Sequence, residues 1–316
     1  MKLVVLAAAA LLAPAAGVLP GARAVKVCAA AGDYWPTMTL AFRGADAWLA
    51  CKEQSRLVRV APATGKATRS VRLDGLPIAV RTGLGSVWAV DSGTLYRVNP
   101  ATGKITKRIP LGVSAAYNIW LGGGSVWVAD DQGAAVVRVS PATNRVVARI
   151  AVGDGPASMA FAGSGAWVVD HRDTTLFRID LATNRPRRLN ALGGAGDKAP
   201  ERMVWAGGSL WITGRGTDLL KVDPATGAIE RTIEIGASGI DLVAAAGSVW
   251  VPTRSAEVDQ SGLPTMDALK RVSIASGTVT TVARPSARLD VHGLAAAGGA
   301  VWIADNTGGF LYRVPF

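Results

Sequence analysis

The chain has 316 residues, 34 Lys and Arg against 23 Asp and Glu for a formal net charge of +11, 49% apolar residues, 18% charged residues and 37 glycines. Its apolar content excludes a disordered chain and suits a well-buried β protein with many tight turns. The positive charge permits an acidic partner, but the densest basic cluster, Arg185-Pro186-Arg187-Arg188, has no interleaved aromatics, which argues against a nucleic-acid platform.

At the N-terminus, Met1 and Lys2 precede an apolar run from Leu3 to Leu12, the helix breakers Pro14, Gly17 and Pro20, and Ala22-Arg23-Ala24. This pattern predicts a signal peptide over residues 1–24, leaving residues 25–316 as an exported, periplasmic or secreted domain. The run is too short for a membrane span, which takes about 18 or more apolar residues, so no transmembrane segment is expected after processing. Cys28 follows Val25-Lys26-Val27, and the lysine does not suit a lipidation box. Removal of Lys2 and Arg23 lowers the net charge from +11 to +9. The two cysteines, Cys28 and Cys51, read in an exported chain as one disulfide, with two free thiols as the alternative.

From residue 38 onward the chain repeats. Tryptophans recur at Trp48, Trp88, Trp127, Trp167, Trp211, Trp250 and Trp302, at intervals of 40, 39, 40, 44, 39 and 52. Each copy holds four short apolar or alternating runs, which predicts an all-β, seven-bladed β-propeller with four strands per blade, A to D from the centre outward. Strand A is small and apolar, as in Leu294 to Ala297; strand B carries the tryptophan. Strand C carries a basic residue (Arg59, Arg97, Arg138, Arg178, Lys221, Arg271, Arg313), and strand D alternates so that one face can meet water. Six C-to-D turns share one chemistry, from Pro62-Ala-Thr-Gly65 to Ile274-Ala-Ser-Gly277, and each ends on Gly or Asn, the residues that best tolerate left-handed backbone. The seventh copy stops near Phe316 without a strand D, and residues 25–31 resemble the end of one. The N-terminal strand is therefore expected to pair with residues 310–314 and close the ring.

In such a ring the D-to-A and B-to-C loops share one face, here called upper, and they vary while the other loops are stereotyped. Binding is expected on that face. Two insertions mark it: residues 192–200 before strand A of blade five, and residues 254–268, which lengthen the B-to-C loop of blade six and suggest either a lid or a surface loop without a role. Non-recurring polar and aromatic residues give the candidate ligand-binding set: Tyr34, Trp35, Tyr117, Asn118, His171, Arg172, Glu201, Arg202, Arg215 and Arg254. Aromatics among several arginines suit an anionic or aromatic ligand. The recurring Asp91, Asp130, Asp170 and Asp305, three positions past their tryptophans, suit turn-capping instead. Asp290, His292 and Asp305 form the one acid-and-histidine constellation; they could hold Mg, Mn or Zn, or pair His292 as a catalytic base with an orienting carboxylate.

The phrases GSVWVAD at Gly124 to Asp130, Arg-Val-x-Pro-Ala-Thr-(Gly/Asn) and the Gly-x-x-Pro exit loop resemble the YVTN-type and streptogramin-lyase-like β-propeller superfamily over residues 25–316. The resemblance implies the fold; within the superfamily, activities diverge. Streptogramin B lyases place an acid-x-His at the start of a strand A and a Glu after a strand-B tryptophan, with a second His from the preceding blade. Asp290, His292 and Asp305 match the first positions with Asp for Glu, while Ile240 and Asp241 stand where the second His would be. Two functions follow as expectations. The first is a monomeric, non-enzymatic module that binds a small molecule, peptide or cell-envelope ligand through its upper face. The second is a metal-assisted lyase using Asp290, His292 and Asp305.

Overall fold

Strand A in each repeat is short and built of small or branched apolar residues, which lets seven of them converge at the centre of a ring. They are Met38–Arg43, Ala79–Gly83, Ala116–Gly122, Pro156–Ala162, Pro200–Ala206, Val243–Ala245 and Val291–Ala297. The computed structural model describes residues 18–28, 38–193, 199–258, 264–306 and 308–316, with the backbone alone at residues 38, 117, 256–258, 264 and 292. It contains seven four-stranded antiparallel sheets. Each strand A touches those of both neighbouring blades, the first touching the last, so the ring is closed. Apart from strands, the described residues include one 3-10 turn, Lys52–Gln54, and no helix long and apolar enough to cross a membrane.

The tryptophans of strand B are buried in apolar clusters that join each blade to the next. Trp48, Trp88, Trp127, Trp211 and Trp250 are essentially inaccessible, and Trp167 and Trp302 nearly so. Each sits directly opposite the basic residue of strand C, as in Trp88 opposite Arg97 and Trp302 opposite Arg313. The guanidiniums of Arg97, Arg138, Arg178, Arg271 and Arg313 stack on their tryptophans at 5.1 to 5.9 Å from the ring centroid. Arg97 and Arg138 also reach into the next blade. Arg97 donates to Pro141 O and Asn144 Oδ1, and Arg138 to Leu181 O and Asn184 Oδ1, at 2.7 and 2.8 Å in both cases. Asn144 and Asn184 end their C-to-D turns at φ 56° and 59°, in the left-handed region expected from the turn sequence.

The innermost strand of each blade has one unpaired edge, whose amides need acceptors. Neighbouring side chains supply several. Thr39 Oγ1 accepts Val80 N–H across the first blade junction, Ser158 Oγ accepts Met203 N–H across the fourth, and Asp241 accepts the amides of Leu242 and Leu294.

The closing strand is Arg23–Lys26, antiparallel to Phe310–Pro315. It begins two residues earlier than expected. Arg23 lies opposite Arg313 and Lys26 opposite Phe310, after which the amides of Val27 and Cys28 both donate to Gly309 O. Residues 29–31 of the expected strand lie outside the described residues. The earlier start follows from packing, because Leu19 is 2% exposed in a cluster with Trp250, Met266 and Leu289, and the chain must enter the sheet from there. The Cys28–Cys51 disulfide, with Cα atoms 5.7 Å apart, ties the closing strand to blade one.

The blade-six insertion differs from the expected loop. Strands B and C of that blade lengthen to Ser248–Val258 and Pro264–Ser273, pairing out to Val258 opposite Pro264. An extended hairpin satisfies the inserted backbone, and Met266 anchors it in the cluster around Leu289. Only residues 259–263 of it lie outside the described residues.

Candidate functional site

The D-to-A and B-to-C loops meet on one face because the aspartates that end strand B bind both. Asp130 Oδ1 accepts the amides of Ser114 and Ala115 from one loop and of Gly133 from the other. Asp170 binds the amides of Gly155, Arg172 and Asp173. Asp91 holds the amides of Gly93 and Thr94 and the Tyr96 hydroxyl, whose pKa burial and this bond push up to about 12. For Asp130, burial opposes the charge, but the Ala115 amide, Arg149 and the amides of Ser114 and Gly133 outweigh it and hold the carboxyl below its ordinary range. These recurring acids are turn anchors.

Four of the candidate residues come together. Glu201, at the start of strand A in blade five, is 9% exposed, and its carboxylate is held by Arg215 Nε at 2.8 Å and by Arg254 Nη2 from blade six at 3.1 Å. Arg202 donates to the carbonyl of Glu201. Burial raises the cost of the Glu201 charge, yet the Arg215 bond and the fields of Arg202, Arg254 and Arg215 hold the carboxyl below its usual range. Arg254 Nε is buried with no acceptor among the described residues.

One step further along the axis lies a second cluster that the sequence pattern does not single out. Arg81 of blade two donates to Val80 O and, at 3.4 Å, to Asn118 Oδ1 of blade three. It is electrostatically coupled to Asp241 of blade six and Arg202 of blade five. Arg81 and Arg202 lie on strands A and Asp241 just before one, so all three stand beside the axis that these strands surround. There Arg81 and Asp241 retain some accessible surface and yet are crowded by protein. Desolvation is the largest influence on both: it lowers the pKa of Arg81 and raises that of Asp241, in the latter case against Arg202, the Leu242 amide, Arg81 and the Leu294 amide. Arg81 was legible as an exception, since it stands opposite Trp88 where other strands A have Ala41, Ala160 or Ala295.

Two of the other candidates are held at another junction. Arg172 bridges to Asp131 at 2.8 Å and to the carbonyl of Asp154, and His171 donates its amide to Gly155 O, so both brace the junction of blades three and four. Tyr34, Trp35 and the side chain of Tyr117 lie outside the described residues. Asp290 and Asp305 are buried at the adjoining ends of strands A and B of blade seven, Val291 pairing with Asp305. Asp290 Oδ2 accepts from Asn306 Nδ2 at 3.4 Å, and Asp305 Oδ2 caps its turn through the Gly308 amide at 3.0 Å. The side chain of His292 lies outside the described residues. Among those described, no group of three or more His, Cys, Asp or Glu is placed to hold a metal ion.

No protein-family model matches the chain, and no curated protein matches it. Among solved structures, the chain is similar to virginiamycin B lyase from Staphylococcus aureus, with 16% identity, a TM-score of 0.75, and coverage of 93% of this chain and 99% of that one. A catalytically inactive histidine-to-alanine variant of that lyase with quinupristin aligns equally well, at 15% identity and a TM-score of 0.75. A chain of the mitotic checkpoint complex aligns with a TM-score of 0.77 at 13% identity, over 95% of this chain and 93% of that one. These likenesses establish the shared seven-bladed fold.

Proposed function

We propose that the protein is an exported, monomeric binding module, processed near Ala24, that takes a small molecule, peptide or envelope component bearing a negative charge at the upper mouth of its axial channel. The observation that carries this reading is the charge balance there. Among the described residues, Arg215 and Arg254 both bind Glu201, and Arg202 and Arg81 act on Asp241, so four guanidiniums gather around two carboxylates. An anionic ligand would complete the balance and give the buried Arg254 Nε an acceptor. The disulfide suits an exported protein. A thermal-shift screen of organic carboxylates, phosphates and acidic glycan fragments tests the reading. A ligand that stabilises the protein should lose its effect in Arg202→Ala and Arg254→Ala; absence of any stabilising anion, or a shift that survives both substitutions, would overturn it.

The fold shared with virginiamycin B lyase favours one second reading, a lyase that works through Asp290, His292 and Asp305. Incubating quinupristin with the protein and following its mass would test this directly. Ring opening that disappears in His292→Ala would support it, and an intact depsipeptide would set it aside. Elemental analysis of the purified protein and of the same variant separates a metal-assisted from a metal-free version.

A further inference from the structure

On the opposite face, where blade seven meets blade one, there is a cavity of about 330 Å³. Its lining includes Trp302 and Phe42, whose ring centroids are 5.3 Å apart, Pro62 and Ala63 of the blade-one turn, and the cationic side chains Arg23 and Arg313. The side chains that clasp two other seams have no counterpart here.

At the seams following blades two and three, the strand-C arginine is drawn across. Arg97 is held by Ser86 Oγ, Pro141 O and Asn144 Oδ1, and Arg138 by Ser125 Oγ, Leu181 O and Asn184 Oδ1. In blade seven the serine position is Ala300, and in blade one the asparagine position is Gly65. Arg313 is left stacked on Trp302, with Gly298 O at 3.3 Å as its hydrogen-bond acceptor among the described residues. A guanidinium has five N–H donors, and Arg313 lines the cavity, so donors remain for a ligand there.

The seam tryptophan is also less covered. Between blades six and seven, the residue at the place of Pro62 is Phe316, whose ring lies 5.7 Å from that of Trp250. Between blades three and four it is Leu181, which packs beside Trp127. Pro62 is smaller than either, and the cavity beside it is flanked by an indole, a phenyl ring and guanidinium groups.

We propose that this seam is a second binding site, for a small aromatic carboxylate whose ring packs between Trp302, Phe42 and Pro62 and whose carboxylate pairs with Arg313. The cavity is within the size range of small-ligand pockets, roughly 300–1,000 Å³, and combines an apolar floor with few polar anchors. Guanidinium and carboxylate match in charge and in planar geometry. Arg23 adds a second guanidinium in a chain that retains it, and the site keeps Arg313 in either case. The site does not rest on the upper-face reading, and Arg202→Ala should leave it unchanged.

Titration calorimetry of the intact protein with 2-naphthoate, and in parallel with the uncharged 2-naphthylmethanol, tests the proposal. The acid is expected to bind, and the alcohol about tenfold or more weakly, because a charge-assisted pair is lost. Arg313→Gln should weaken naphthoate by about the same factor. Ala63→Trp, on an exposed turn position, should fill the cavity and abolish binding while leaving the melting profile near that of the parent. No heat at millimolar naphthoate, equal binding of acid and alcohol, or undiminished binding in a folded Ala63→Trp protein would each overturn the proposal. The comparison of acid with alcohol needs no variant, so it decides the matter even if both substitutions disturb folding.

Discussion

Arg254 of blade six donates to Oε2 of Glu201 in blade five at 3.1 Å, while Arg215 holds the other oxygen of the same carboxylate at 2.8 Å. One nearly buried acid thereby joins two blades and orders two arginines of the upper face. Glu201→Gln keeps the shape and removes the charge, and it should cost about 1–3 kcal/mol at neutral pH, since bonds to charged groups are the stronger kind. The folded carboxyl is held below its ordinary range. Its contribution is therefore fully present above the unfolded-state value, near pH 4.3, and is lost as pH falls through the lower folded value. Denaturation of parent and variant at pH 7 and pH 3 checks the sign: the gap should narrow in acid. An unchanged gap would mean that the charge of Glu201 contributes nothing.

The disulfide should carry much of the stability of ring closure. Cys28 follows the closing strand and Cys51 ends strand B of blade one, so reduction frees the link between the two ends of the ring. Cross-linking a loop of about 24 residues is worth on the order of 3 kcal/mol in the chain-entropy picture. Cys28→Ser with Cys51→Ser should lower the melting temperature by several degrees while keeping a β-rich spectrum. Hydrogen exchange should rise first in Phe310–Pro315, the strand that the latch covers.

Residues 18–24 should matter to the latch as well. Two of its four pairs, Arg23 with Arg313 and Ala24 with Tyr312, precede the expected processing point, and Ser286 N–H donates to Val18 O at 2.8 Å. Leu19 is almost fully buried, which is worth about 1.5–3 kcal/mol for a side chain of its size. A protein beginning at residue 18 should thus be more stable than one beginning at residue 25 by about 2–4 kcal/mol. Equal stability would show that this packing adds nothing. Mass spectrometry of the secreted protein would show which N-terminus it carries.

Recurrence made the fold legible. Seven tryptophans with basic partners and six turns ending in Gly or Asn report the same local physics many times, so strand order, turn geometry and even the strand that completes blade seven could be read before any coordinates. What occurs once was harder. Arg81 and Asp241 are 160 residues apart, and only ring closure brings their blades to one channel, so no local period encodes their coupling. The register of the closing strand depends on where Leu19 packs, which is a tertiary fact. The lengthened hairpin of blade six read as a loop because Arg254 to Ala268 lacks regular alternation, yet its backbone still finds partners across the pair. In the candidate site, Glu201, Arg202, Arg215 and Arg254 stood out as departures from the repeat. That they share one network came from the geometry of neighbouring blades.

The clasp between blades two and three offers a test that separates backbone from side chain. Asn144 does two things: it adopts φ 56°, and its Oδ1 accepts from Arg97 at 2.8 Å. Asn144→Gly removes the acceptor in a residue that adopts left-handed backbone without a Cβ penalty, so it should cost about 1 kcal/mol or less. Asn144→Ala removes the acceptor and also the short polar side chain by which asparagine tolerates left-handed backbone, which adds about 1 kcal/mol. Arg97→Lys gives up the fork that reaches Ser86, Pro141 and Asn144 together, and with it part of the stacking on Trp88. If the clasp is the link between these residues, Asn144→Gly should cost little further once Arg97 is lysine, while the extra penalty of Asn144→Ala should persist undiminished because it belongs to the backbone. Denaturant titrations of the two single variants at residue 144, alone and with Arg97→Lys, measure both terms. A cost for Asn144→Gly that is the same in both backgrounds would show that the arginine and the asparagine, though in contact, do not share the energy that holds the blades together.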